Sequence, residues 1–222
     1  MNWKRVTFAA FMSCALTVFA ERPPASGHAP AEFFAAPDGV SGATPGARFL
    51  GTLPYAARDT LRKEGRVLLQ QKGKAGLVRA VIRFERPVDE VFAIITRPSE
   101  QASYMPHVTE SKAFGTSTAE GEAIDTVVTF LFVTLRYRTQ HWFYPEEHRM
   151  EWNLDPAGGK SLKDQDGYFQ LYALDPRTTI AEYGTRVVAE GSFIDFIRGL
   201  GERGGVDDAL NALRKHVAAA KD

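Results

Sequence analysis

The segment from Leu77 to Val108 constrains the fold of this chain more than any other. It begins with a run in which every second side chain is apolar, at Val78, Ala80, Ile82 and Phe84. Such alternation predicts a strand with one buried face. Pro87 favours the first turn of a helix, and Pro98 ends that helix. Ser99 is a suitable N-cap for a second short helix, which Pro106 ends. The segment therefore predicts a strand followed by two short helices.

The first 20 residues have the pattern of a secretory signal peptide. Lys4 and Arg5 precede an apolar run over 6–19, and the residues that end at Ala20 suit cleavage after that alanine. The run is short for a membrane-spanning helix, and an uncleaved anchor or a misassigned start site are the alternatives. We therefore expect a periplasmic or secreted protein. Cys14 is the single cysteine, so the mature chain is expected to fold without a disulfide.

The composition divides the chain into three segments. Residues 1–20 form the expected signal peptide. Residues 21–47 are rich in Pro, Ala and Gly and predict a flexible linker. Residues 48–222 are expected to form one domain, which is long enough to bury an ordinary hydrophobic core.

Strand patterns dominate the predicted domain, with helices near its two ends. We predict strands at Gly65–Gln71, Leu77–Glu85, Thr109–Gly115, Ala123–Phe130, Thr134–Phe143, Arg149–Leu154, Gly167–Leu174 and Thr179–Ala189. A short helix is predicted around Tyr55–Lys63, and the apolar stripe of Val206, Leu210, Leu213 and Val217 predicts a long C-terminal helix. This order indicates an α+β fold in which a curved antiparallel sheet wraps around the C-terminal helix.

The pattern resembles the START-like, helix-grip superfamily, also called SRPBCC, and most of all its polyketide cyclase/dehydrase and coenzyme-Q-binding branch. Three segments carry the likeness: RPVDEVFAIITRPSEQASYMPHV, FYPEEHRMEWNL followed by DGYFQLYAL, and VDDALNALRKHVAA. The resemblance implies a deep, mostly apolar cavity under the C-terminal helix. It does not imply one function, because this fold hosts lipid carriers, hormone receptors and a few cyclases.

Apolar and aromatic side chains on the elements that line the cavity of that superfamily are the candidate ligand contacts. They are Phe92, Tyr104, Met105, Trp142, Met150, Trp152, Tyr168, Phe193 and Ile197. Tyr and Trp combine an apolar ring with a polar atom, which suits an amphipathic ligand. Plain core packing is the alternative for each residue. The expected ligand is a small hydrophobic molecule: a lipid, a quinone, or a sterol-like or polyketide-like compound.

The sequence has no strong catalytic signature. Its histidines lack metal-ligand spacing and there is no serine-hydrolase motif, so no metal or cofactor is expected. A cyclase or dehydratase would need an acid–base group, for which His141, Tyr168 and Asp125 are the weak candidates. The alternative is that His141 is a surface or edge residue. Arg136 and Arg138 share one strand face, which is expected to be solvated.

Basic residues concentrate between Arg58 and Arg86, a stretch that contains nine basic and only three acidic residues. One interpretation is a patch that binds anionic lipid headgroups or an envelope protein. The other is solvated charge on helix and strand faces. The whole chain has a formal net charge of zero, and an exported, near-neutral protein is not expected to bind nucleic acid. The oligomeric state stays open.

Overall fold

The computed structural model describes residues 42–72, 77–130, 132–159, 161–189 and 205–220. The α-helices within these ranges are α1 (Pro45–Thr52), α2 (Tyr55–Glu64), α3 (Val88–Ile95) and α4 (Gly205–Ala219). There are also two short 3-10 helices. Pro98–Ser103 follows α3, and Pro145–Glu147 lies between two strands. None of the helices in the described ranges has both the length and the apolar character needed to cross a bilayer.

Eight strands form one antiparallel sheet. They are β1 (Arg66–Lys72), β2 (Leu77–Phe84), β3 (Val108–Thr118), β4 (Gly121–Phe130), β5 (Val133–Tyr144), β6 (Arg149–Leu154), β7 (Leu162–Asp175) and β8 (Thr178–Ala189). Their order across the sheet is β1-β2-β8-β7-β6-β5-β4-β3. The N-terminal hairpin β1–β2 therefore lies beside the last strand, and β3 forms the opposite edge. The predicted α+β helix-grip fold is confirmed.

Local patterns located most elements correctly, but two of the helices differ from the prediction. The second short helix begins at Pro98 itself and not after a Ser99 cap, because proline is well suited to the first helical position, where no N–H partner is needed. Helix α1 was not predicted, and it begins at Pro45, inside the segment assigned to a linker. The hydroxyl of Thr44 accepts a hydrogen bond from the Ala47 N–H and caps this helix.

The main core lies between α4 and the inner face of the sheet, which we define as the face towards α4. The alternating residues Ala80, Ile82 and Phe84 of β2 are at most 3% exposed. They pack in one cluster with the α4 stripe Leu210, Leu213 and Val217. Helix α3 adds Val91, Phe92 and Ile95 to the same cluster. Burial of these stripes on both sides of the contact holds the helix against the sheet.

The outer face of the sheet is covered at one end by α1. The ring of Phe49 in α1 stacks on Tyr172 of β7 with centroids 4.7 Å apart. The Thr44 hydroxyl also donates to the Leu174 carbonyl at 2.8 Å. A side chain at Gly46 would come within 2.8 Å of the Leu174 backbone, so only glycine permits this approach. On this outer face Val81 of β2 and Glu182 of β8 are at most 1% exposed, whereas Tyr168 and Tyr172 of β7 are half-buried.

Candidate ligand-binding cavity

A cavity of about 250 Å³ lies between α4 and the inner face of the sheet. Helix α4 forms one wall through Val206, Ala209, Leu210 and Leu213. The opposite wall consists of inward-facing residues of β2 and β4–β8. The turn from Gln101 to Val108 borders the cavity between these two walls.

Aromatic and thioether side chains make the deep part of the cavity apolar. Trp152 lies 5.9 Å from Phe169 and 6.0 Å from Tyr183, measured between ring centroids. Met150, on the same face of β6, is 1% exposed. The indole of Trp152 lies against Gly167 of the neighbouring strand, where an added Cβ would be 2.2 Å from the ring. Glycine at that position is therefore what lets the indole lie flat along the cavity wall.

A polar group of side chains occupies the same wall, and His141 is its buried imidazole. The His141 side chain is 5% exposed, and its Nε2 lies 2.9 Å from the Thr139 hydroxyl. Its Nδ1 is buried and has no hydrogen-bond partner. Burial lowers the pKa of His141 to about 3, because desolvation disfavours the charged form. The imidazole is therefore neutral at physiological pH.

Two tyrosines and a glutamine complete this polar group. Burial raises the pKa of Tyr137 to about 12, with a smaller opposing effect from a hydrogen bond to Gln165. Burial likewise raises the pKa of Tyr183 to about 12. The Oε1 atom of Gln165 is buried without a partner. His141 and Gln165, two residues of a mostly apolar lining, thus each have a buried polar atom without a hydrogen-bond partner.

The turn that borders the cavity is attached to α4 by an aromatic contact. The ring of Tyr104 stacks on His216 of α4 with centroids 4.0 Å apart and planes 10° apart. His107 follows in a left-handed conformation, with φ of 66°, and its ring meets Phe130 edge-on at 4.7 Å. The turn therefore connects the helix to the β4–β5 hairpin across one side of the cavity.

Among the described residues, neither Asp, Glu, Lys nor Arg lines the cavity. The nearest carboxylate by strand register is Glu122, which pairs with His141 across β4 and β5. Glu122 is 8% exposed and accepts a hydrogen bond from the Ser117 hydroxyl at 2.8 Å. Within the described ranges, no group of three or more potential metal ligands clusters in space.

Four of the predicted ligand contacts line the cavity: Tyr104, Met105, Met150 and Trp152. Phe92 does not line it: its ring packs in the core cluster and meets His148 edge-on at 5.8 Å. Ile95, one turn further along α3, lines the cavity instead. Phe193 and Ile197 lie outside the described residues.

Trp142 and Tyr168 lie on the outer face, away from the cavity. Strand register places both in one row with Glu151, whereas the next row, His141 with Trp152 and Gly167, faces inward. The Tyr168 hydroxyl donates to Glu182 at 2.8 Å. Both residues were candidates because aromatic side chains stand on both faces of these strands, and composition alone does not distinguish the faces.

The three catalytic candidates do not come together. Asp125 lies on the outer face, where Arg138 Nε donates to its Oδ1 at 2.7 Å. Tyr168 is also outside, so only His141 lines the cavity. The interpretation of His141 as a surface or edge residue is wrong, because α4 covers this face of the sheet. The expected outward orientation of Arg136 and Arg138 is correct.

Sequence reasoning missed the polar residues around His141. Tyr137 and Thr139 precede it at intervals of two, so strand alternation alone places them on its face. Gln165 was missed for another reason: β7 begins at Leu162, before the predicted start at Gly167. The longer strand continues past the turn and carries Gln165 into the cavity wall.

Most basic side chains of the Arg58–Arg86 stretch that the structure describes have carboxylate partners. The pairs are Arg62 and Lys63 with Asp59, Arg66 with Asp207, Arg79 with Glu182, Arg83 with Glu85, and Arg86 with Glu90. Paired charges attract an anionic surface less than isolated ones. The interpretation as charge on helix and strand faces therefore has the stronger structural support.

The sequence matches the family described as polyketide cyclase / dehydrase and lipid transport over residues 76–219. The chain belongs to this family. The match begins one residue before β2 and runs to the last residue of α4, so α1, α2 and β1 lie before it. A search of curated proteins finds no match.

Solved structures show the same helix-grip fold as this member of the polyketide cyclase / dehydrase and lipid transport family. The Zhui aromatase/cyclase of Streptomyces sp. R1128 is 12% identical, with a TM-score of 0.55 over 64% of this chain and 93% of that one. A STAR-related lipid transfer protein of Xanthomonas axonopodis is 14% identical, with a TM-score of 0.54 over 69% and 99%. A START superfamily protein of Mycobacterium smegmatis is 14% identical, with a TM-score of 0.53 over 64% and 97%. At such identities the likeness extends to the fold alone.

Proposed function

We propose that this protein is a carrier or sensor that holds a small hydrophobic or amphipathic ligand between α4 and the sheet. The observation that carries the proposal is the cavity of about 250 Å³, whose lining is mostly apolar and, among the described residues, includes no Asp, Glu, Lys or Arg. Such linings are typical of sites for small organic ligands, in which polar groups fix orientation and apolar surface supplies affinity. Lipids, quinones, sterol-like and polyketide-like molecules share this character.

The electrostatics of the cavity favour binding over acid–base catalysis. His141, with a pKa of about 3, is a weak base, and burial raises the pKa of Tyr137 and Tyr183 to about 12. General acid–base groups work best when their pKa lies near the operating pH. The pKa values of these three groups lie far from pH 7, so all three side chains are uncharged at that pH. Uncharged hydrogen-bonding groups suit recognition.

Native mass spectrometry of the purified protein, followed by organic extraction, tests this proposal. The variant Ala209→Trp fills the cavity from α4, whereas Ala218→Trp adds the same side chain at an exposed position of the same helix. We expect wild-type protein and Ala218→Trp to load an apolar ligand and Ala209→Trp to lose it. Failure of wild-type protein to take up any apolar compound would contradict the proposal.

A cyclase or dehydratase activity is the second candidate. The register that sets Glu122 opposite His141 favours it, because a carboxylate beside an imidazole is a common acid–base arrangement. Incubation with a poly-β-ketone substrate should then give a cyclised product that both Glu122→Gln and His141→Phe abolish. Unchanged substrate with the wild-type protein would exclude this candidate for that substrate class.

We also propose that the protein works outside the cytoplasm. The support is the charged start, the apolar run and the cleavage pattern that ends at Ala20. Cell fractionation with N-terminal sequencing of the mature chain tests it, and the expected first residue is Glu21. Attachment to an anionic membrane through the Arg58–Arg86 stretch is a finer proposal, tested by liposome co-sedimentation at low and moderate salt. The pairing of these arginines argues for weak binding.

A further inference from the structure

We infer that the cavity selects an electrically neutral ligand that carries a hydroxyl group at its buried end, bonded to His141 or Gln165. This inference rests on the proposed binding function and specifies its ligand class. It starts from two residues that line the cavity, His141 and Gln165. Each has a buried side-chain atom without a hydrogen-bond partner, Nδ1 in His141 and Oε1 in Gln165. Buried polar atoms in proteins nearly always have partners, because an unsatisfied one is destabilising.

The hydrogen-bonding capacity of these two atoms specifies the ligand group. The amide oxygen of Gln165 only accepts, so its partner must be a donor. A neutral imidazole has one donor and one acceptor nitrogen, and the Thr139 hydroxyl occupies Nε2 in either role. The free Nδ1 therefore donates in one tautomer and accepts in the other. A hydroxyl group serves both residues in every case, whereas a ketone or ether oxygen never satisfies Gln165.

The lining of the cavity disfavours an anionic ligand end. Among the described residues, no lysine or arginine lines the cavity to supply a cationic side chain to a carboxylate or phosphate. His141 does not supply one, because burial keeps it neutral. The nearest carboxyl side chain by register is that of Glu122, which is 8% exposed. An anion here would lose its hydration without gaining a partner.

The volume limits the size of the buried part. A dry cavity of about 150 Å³ takes up benzene, so the present cavity of about 250 Å³ is suited to two fused rings or an equivalent branched chain. Naphthalene, 2-naphthol and 2-naphthoate form a matched series of this size. All three contain the same two fused aromatic rings. Naphthalene has no polar group, 2-naphthol has a neutral hydroxyl, and 2-naphthoate has a negatively charged carboxylate.

Isothermal titration calorimetry of the three compounds at pH 7 tests the inference. For wild-type protein we expect 2-naphthol to bind about tenfold more tightly than naphthalene, which is the effect of one good buried hydrogen bond. We expect 2-naphthoate to bind more weakly than 2-naphthol. In His141→Phe or Gln165→Met, the preference for 2-naphthol over naphthalene should fall, and in the double variant it should disappear.

Tyr168→Phe is the matched control, since it removes a hydroxyl from the outer face of the same sheet and should leave the preference unchanged. Binding of naphthalene to each variant reports that its cavity is intact, so a misfolded variant is recognised. Equal affinities of wild-type protein for naphthalene and 2-naphthol, or tightest binding of 2-naphthoate, would overturn this inference while leaving the binding function standing. Absence of binding by all three compounds, and by any other apolar compound, would overturn the proposed function and this inference with it.

Discussion

The ring of Tyr104 lies flat on the imidazole of His216, with centroids 4.0 Å apart. Tyr104 follows the 3-10 helix Pro98–Ser103, and His216 stands in the last turn of α4. The contact joins the turn that borders the cavity to the helix that covers it. Opening of this side of the cavity therefore requires the two rings to separate.

Replacement of His216 should speed ligand release. Loss of one aromatic pair is worth about 1 kcal/mol, so His216→Ala should raise the dissociation rate of a bound fluorescent naphthol roughly fivefold. Amide hydrogen exchange over residues 98–106 should rise with it. Lys215→Ala, at an exposed neighbouring position on α4, is the control. Equal release rates in the two variants would show that the stacking does not restrain the turn.

The pH dependence of stability should depend on His141. Its pKa is about 3 in the folded chain and near 6.5 when unfolded, so between these values the unfolded state binds the extra proton. The stabilising contribution is therefore complete above pH 6.5 and is lost as pH falls towards 3, by about 1 kcal/mol per pH unit. Urea unfolding at several pH values between 4.5 and 7.5 should show a smaller acid loss for His141→Phe. Glu122 faces His141 across the strands, so Glu122→Gln should be measured in parallel. Parallel curves for wild type and His141→Phe would refute this account.

The ion pair between Arg66 and Asp207 should stabilise the start of α4. Arg66 Nε and Nη2 donate to the two Asp207 oxygens at 2.6 and 2.5 Å. The hydrogen bonds from Arg66 lower the pKa of Asp207, so this contribution is present above pH 4 and is lost as pH falls further. The Asp207 side chain is 40% exposed, and solvent screening limits the effect of Asp207→Asn at pH 7 to about 1 kcal/mol. The neighbouring Asp208→Asn is the control. Unfolding experiments at pH 7 and pH 3 should show a difference between these variants only at the higher pH.

Substitutions on the outer face of the sheet should lower the stability of the protein without changing its affinity for a ligand. Glu182 is 1% exposed and accepts hydrogen bonds from Arg79 at 2.6 Å and from Tyr168 at 2.8 Å. Glu182→Ala breaks a buried ion pair and should lower the free energy of unfolding by about 3 kcal/mol. Tyr168→Phe should lower it by about 1 kcal/mol. Calorimetry with 2-naphthol should give wild-type affinity for both variants, and a weakened affinity in Tyr168→Phe would mean that this ring contacts the ligand after all.

Local sequence patterns were sufficient to locate the strands. The β6 prediction, Arg149–Leu154, matches the structure at both ends, because alternation of side chains and the following Asp-Pro turn are local properties. The stripe from Val206 to Val217 likewise predicted α4. Helix α1 was missed because Phe49 is its main buried aromatic residue, and its partner Tyr172 is more than a hundred positions away.

The candidate cavity was predictable in outline and not in detail. Strand alternation places His141 and Trp142 on opposite faces of the sheet, and likewise Gly167 and Tyr168. It does not show which of the two faces packs against α4. Hydrophobicity does not identify the cavity face either, because aromatic residues stand on both faces and Tyr172 on the outer face packs against Phe49 of α1.

The sequence by itself determined most of the elements, their order and the apolar stripes that require a helix packed on a sheet, because these depend on neighbours a few residues apart. The tertiary structure alone decided that His141 and Trp152 face the cavity while Asp125 and Tyr168 face away. That outcome depends on strand register and on which helix covers which face. Both are set by contacts between residues distant in sequence, where a shift of one position exchanges the two faces of a strand.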